Sequence, residues 1–171
     1  SGMDIIKGLG NANKIMNRLL FEGATNYGLK ISEVNGGSLR NAIPRESFAL
    51  VTIDTASKEF FLLKTGGLIN NIKEEFSTIE SNLIIEIQET QLPEKVMEIG
   101  VQEGFLKSIY AAFNGVYRMS PDIENLVETS NNIARVIVKS GQIKIECLTR
   151  SSSETNKIDL ANSLKSAFEL S

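Results

Sequence analysis

The 171-residue sequence has no histidine, no tryptophan, one cysteine and three prolines. The missing histidine excludes the most. Histidine is the usual general base near neutral pH and the commonest metal ligand. Its absence removes Ser-His-Asp and Cys-His catalysis from within this chain, and the common histidine-containing zinc sites with them. The single cysteine, Cys147, removes an intrachain disulfide and any paired-cysteine metal site. It reads as a small buried apolar residue in a strand and fits a reducing, cytoplasmic setting. No apolar run approaches the roughly 18 residues of a membrane span, so no membrane partner is expected. Charge is balanced: 18 Lys+Arg against 21 Asp+Glu leave -3, which provides no basic footprint for nucleic acid. Ser1-Gly2-Met3-Asp4 lacks the basic start and apolar stretch of a signal peptide.

What is present is enough apolar residue, 42%, to bury a core in one domain. Ala12, Ile15, Met16, Leu19 and Leu20 recur at helical spacing. Asn11 is the N-cap, and Gly23 or Asn26 the stop. Leu29 and Ile31 alternate with polar neighbours as a strand, and Asn35-Gly36-Gly37-Ser38 reads as a turn. The next strand, about 47–54, is apolar on both faces, which predicts a central position. A helix follows over about 60–79, with Ile69, Ile72, Phe76 and Ile79 as its stripe and Gly66-Gly67 as a break or kink. Leu83, Ile85 and Ile87 alternate as a strand.

With a strand from Ser1–Ile6 at the front, the first half takes the ferredoxin-like order, two helices on one face of a four-stranded antiparallel sheet. The second half repeats the pattern without repeating the letters. A long helix runs from Pro93 to about Tyr117. A strand spans about 127–138, with Asn131-Asn132 as its bulge, and Ser140-Gly141 is a hairpin turn. The strand through Ile143, Ile145 and Cys147 leads to a serine-capped helix with Leu160, Ala161, Leu164, Ala167 and Phe168 inward. The fold class is therefore α+β: a ferredoxin-like antiparallel sheet covered by helices on one face, doubled into two βαββαβ-type halves. The halves are about 1–91 and 92–171, and the second lacks its last strand. Both ends read as the border of a larger protein.

Chemistry must then come from carboxylates, Arg, Asn and glycine loops. Gly8-Leu9-Gly10-Asn11-Ala12-Asn13 begins like a phosphate loop but lacks the third glycine of the dinucleotide fingerprint and the Lys-Ser/Thr of the P-loop. No acidic cluster has a metal spacing. The densest polar segment runs from Gly36 to Glu46 between two strands. It holds Asn41, an amide that both donates and accepts, beside Arg40 and Arg45. Arg150 ends a strand just before the serines, where a guanidinium suits a bidentate grip on a carboxylate. Composition alone leaves both segments open between such a site and exposed surface arginines.

Four segments decide between these readings. They are Gly8–Lys14, Gly36–Glu46, Glu128–Asn132 and Leu148–Ser152, and together they closely resemble the aminoacyl-histidine dipeptidases. That family is part of the zinc aminopeptidases and carboxypeptidases, with carnosinases and glutamate carboxypeptidase. The resemblance covers only the lid, or dimerisation, domain, which in the family is inserted into the catalytic domain. It implies a parent hydrolase that cleaves Xaa-His and related dipeptides with two zinc or similar divalent ions, whose ligands lie outside this chain. No catalytic or metal-ligating residue is then expected here. Asn41 matches the lid Asn that holds the substrate's backbone, and Arg150 the Arg that pairs with its terminal carboxylate; Arg40 and Arg45 are secondary candidates. Ser1-Gly2 match the end of the family's His-Ser-Gly motif. The implied partners are the catalytic domain of the same chain, the dipeptide and, through the lid, a second copy. The alternative is a stand-alone ferredoxin-like module that binds a small ligand or dimerises.

Overall fold

A computed structural model describes residues 4–170, so Ser1-Gly2 and the motif read there lie outside the described residues. After a single 3-10 turn at Ile5–Lys7 the elements are α1 (Ala12–Tyr27), β1 (Lys30–Gly36), β2 (Ser47–Thr52), α2 (Thr55–Glu75), α3 (Ile99–Ala111), β3 (Gly115–Met119), β4 (Val127–Lys139), β5 (Gln142–Ser151) and α4 (Glu154–Glu169). Asn11 caps α1 as its side chain suggests: Oδ1 accepts the Lys14 N–H at 3.1 Å. Ser153 caps α4 by accepting the Asn156 N–H. Gly28, at φ +69, ends α1 in the left-handed region.

The strands form one antiparallel sheet, and the class read from the sequence holds. Its organiser is β4. One edge of β4 pairs with β5 along nearly its whole length. The other edge is shared, by β3 at one end and by β1 at the other, through Val34↔Val138, Asn35↔Ile137 and Gly36↔Val136. The first half contributes α1, the paired strands β1 and β2, and α2; the second contributes α3, the three strands β3, β4 and β5, and α4; the halves meet antiparallel where β1 joins β4. The doubling is a single sheet rather than two. The helix-facing core runs through both halves, with Leu20, Ile31, Phe61, Leu106, Ile109, Ile133, Val136 and Leu160 in one cluster.

Several boundaries differ from the expectations. The front strand is absent from the described residues, where Ile5–Lys7 is a 3-10 turn. Residues 83–87 form no strand; Ile84 and Ile87 are exposed, and an alternating pattern without a neighbour to pair with does not make a strand. The strand expected to be central, β2, lies at the sheet edge, since among the described residues it pairs with β1 alone; its outward Phe48 is 62% exposed, and Ala49 and Val51 pack on the core. Gly66-Gly67 leave α2 unbroken. The helix expected from Pro93 starts at Ile99, capped by Glu98. It stops at Ala111, where Lys14 Nζ meets the carbonyls of Ile109, Tyr110 and Ala112 at 2.8, 3.0 and 3.2 Å. Such a cation suits the unpaired carbonyls of a helix C-terminus.

Arg18 clasps α1 to α2 through a two-pronged bond to Glu75, with Nη1 on Oε2 and Nη2 on Oε1. That bond holds the Glu75 carboxyl below its usual range. A lowered carboxylate contributes above its unfolded pKa and is lost as pH falls through the lower folded value. Both side chains are partly exposed, so the worth is under about 1 kcal/mol. Glu75→Gln is expected to melt slightly below the parent at pH 7, and the gap should close as pH falls below the ordinary glutamate range.

Candidate functional site

The register of β4 places the site. Pairing with β5 slips by one residue between Ile133 and Arg135. The bulge thus falls at Ala134, not at Asn131-Asn132. It allows Ile133 and Val136 both to face the helices, opposite Cys147 and Ile145. Burial pushes the Cys147 thiol up, as for a packed and unreactive side chain. The alternate residues face the other way. Ser130 stands opposite Arg150 and Asn132 opposite Leu148, all four on the sheet face away from the helices.

The same bulge fixes the start of the loop over residues 37–46. Gly37 has φ +76, and a Cβ there would stand 2.0 Å from the Ala134 carbonyl oxygen. Only glycine lets the chain turn so close to the bulge. The loop base is closed by the Gly37 N–H donating to the Glu46 carbonyl at 3.0 Å. Its far limb is held where the Ala12 N–H meets the Pro44 carbonyl at 3.1 Å. Its tip turns through a bond from the Ala42 N–H to the Leu39 carbonyl and lands on β4, where Asn132 Nδ2 donates to the Ala42 carbonyl at 2.7 Å.

Asn41 and Arg150, far apart in the chain, thereby line one pocket of about 30 Å³. Ile5, Ile43, Ser130, Asn132 and Leu148 complete it. Arg40 and Arg45 do not line it; Arg45 reaches toward Glu80 at 4.0 Å. Three arginines elsewhere find close carboxylates, Arg18 on Glu75, Arg118 on Glu128 and Arg135 on Glu146, whereas the exposed Arg40 pairs with none among the described residues. Among the described residues no carboxylate pairs with Arg150, which is exposed and keeps its fork of donors open. The pocket offers a forked cation, two amides, a hydroxyl and three apolar side chains. That set suits a carboxylate next to a peptide group, and it suits no metal. Among the described residues no three or more His, Cys, Asp or Glu converge on a point.

Ser130, Asn132 and Leu148 were not expected as site residues, although Glu128–Asn132 and Leu148–Ser152 were picked out as segments. The glycine run at Gly8–Asn13 becomes a helix entry. The Gly10 N–H, which a phosphate would need, donates instead to Glu80 Oε2 at 3.2 Å. A wider cleft of about 710 Å³ lies elsewhere, between α3, β5 and α4, and is mainly apolar.

Residues 1–64 match the family described as the Peptidase dimerisation domain. The chain is 35% identical over 174 aligned positions to the cytosol non-specific dipeptidase of Escherichia coli (strain K12), covering 99% of this chain and 35% of that protein. The crystal structure of the aminoacylhistidine dipeptidase from Vibrio alginolyticus superposes with a TM-score of 0.94 at 34% identity, over 98% of this chain and 34% of that one. The chain thus spans about a third of the length of the relatives it matches.

Proposed function

The chain carries a peptidase dimerisation domain like those of dipeptidases, and from that premise we propose that 1–171 is the substrate-covering lid of a longer cytosolic enzyme that hydrolyses Xaa-His and related dipeptides. One observation carries the reading. A pocket of about 30 Å³ holds roughly one water-sized group, whereas pockets that enclose a small molecule run to about 300–1,000 Å³. Asn41 and Arg150 therefore present half of a site. They grip the peptide group and the terminal carboxylate of a ligand whose other side rests on a second surface. A lid that closes on a catalytic domain supplies that arrangement.

In this reading the lid contributes binding and orientation. The two divalent ions of the parent polarise the scissile carbonyl and activate water, and their ligands belong to the catalytic domain. The described residues do not form such a site. Arg150 aligns the carboxylate by paired N–H donors, and Asn41 both donates to and accepts from the peptide unit. A second copy docking through this domain is part of the same proposal.

The division of labour is tested on the 171-residue chain itself. It should bind no zinc stoichiometrically in a calorimetric titration and hydrolyse no dipeptide with zinc or manganese added. Tight stoichiometric zinc, or turnover, would count against a lid and for an independent metalloprotein.

A further inference from the structure

The geometry points to Asn132 as the residue that positions Asn41 against Arg150, an inference that rests on the lid reading above. Both ends of its amide are engaged. Nδ2 donates to the Ala42 carbonyl at 2.7 Å, and Oδ1 accepts from Asn11 Nδ2 at 3.1 Å. Asn11 is itself fixed. It caps α1 through the Lys14 N–H and reaches Asn114 Oδ1 at 2.9 Å and the Ile133 carbonyl at 3.0 Å. Asn132 is 7% exposed, so its donor and acceptor have little access to water as a substitute partner.

The position of this bond gives it leverage. Asn132 sits on β4 two residues from Ser130, the register partner of Arg150, so it shares the rigid strand pair that carries the guanidinium. The turn through Asn41 is not part of that pair. The bonds at Gly37 and Pro44 hold the base and the far limb of the loop, and the bond between Ala42 and Leu39 lies within the turn. Among the described residues, Asn132 to Ala42 is the one hydrogen bond from the 39–42 turn to the sheet. It fixes the span between the amide that meets the peptide group and the fork that meets the carboxylate.

The test is a double-mutant cycle in the full-length enzyme. Asn132→Asp keeps the side-chain shape and removes the donor to Ala42. It should lower kcat/KM for a dipeptide by roughly ten- to a hundredfold, as a displacement of about 1 Å does at a catalytic constellation. The loss should fall mainly on KM, with metal content unchanged. In an Asn41→Ala background the same change should cost less than about twofold, because the group it positions is gone. A merely structural role would lower activity equally in both backgrounds, and that additive result would overturn the proposal. So would an unchanged kcat/KM. If Asn132→Asp does not fold, Asn132→Ser is read by the same cycle. If Asn41→Ala and Arg150→Ala are themselves silent, the lid reading fails and this inference falls with it. If they are damaging and Asn132→Asp is silent, only the positioning role fails.

Discussion

Arg150→Ala in the full-length enzyme should lower kcat/KM for dipeptides by one to three powers of ten. A hydrogen bond to a charged group is worth about 1.5–3 kcal/mol, and lost alignment of the carboxylate adds to it. The guanidinium lines the pocket with Asn41 and has no carboxylate partner among the described residues. Its removal therefore breaks no internal ion pair, and the melting temperature of the chain should hardly change. Arg150→Lys keeps the charge and loses the fork, so it should recover only part of the activity. A substrate with an amidated C-terminus separates the roles further. It should be poor for the parent enzyme and lose little more from Arg150→Ala. Equal losses on free and amidated substrates would remove the guanidinium from carboxylate recognition.

The second large effect concerns folding. Gly37→Ala places a methyl group 2.0 Å from the Ala134 carbonyl oxygen at a φ of +76. Left-handed strain on a non-glycine residue and the forced separation of two backbones each cost about 1–3 kcal/mol. Together they should lower the melting temperature of the chain by roughly 5–20 °C. Gly28→Ala is the internal control. Gly28 has φ +69 but nothing within 4 Å of an added Cβ, so it should lose only the strain, about 1–2 kcal/mol. The two variants separate conformation from contact. Near-equal losses would mean that the bulge yields and does not fix the loop.

The bulge also marks where sequence reasoning reaches its limit. Helix α4 and its serine cap, the Asn11 cap of α1 and the Ser140-Gly141 turn are local features, and each stands where spacing and turn chemistry put it. Both turn residues have positive φ, 53 and 75, the conformation that a two-residue hairpin requires. Counting back from that turn by strict pairing sets Arg150 opposite Asn131. The slip at Ala134 sets it opposite Ser130 and moves Asn132 to the outer face. A one-residue shift changes which asparagine faces the site, and no residue type around Ala134 announces it. The strand lost at residues 83–87 and the edge position of β2 have a similar origin. Alternation says that a segment suits a pleated surface, and says nothing of which neighbour is there to pair. Asn41 and Arg150 were picked from residue chemistry and from the resemblance to dipeptidases. Their common pocket depends on a loop and a strand meeting across the sheet, which the sequence alone does not display.

The junction of β1 with β4 has a consequence for how the chain is made. The first half is synthesised with the β1 edge at Val34–Gly36 unpaired, and its partners at Val136–Val138 come about a hundred residues later. At 5–20 residues per second that is a wait of roughly 5–20 s. During it, Ile31 and Val34 lack the side chains of Val136 and Val138 that complete their burial. Nascent chains caught in that interval offer a bare strand edge to one another on crowded ribosomes. Slow elongation, or truncation before Val136, should therefore send this domain toward aggregates more readily than the finished sheet, in which β1 is paired on both edges, would suggest.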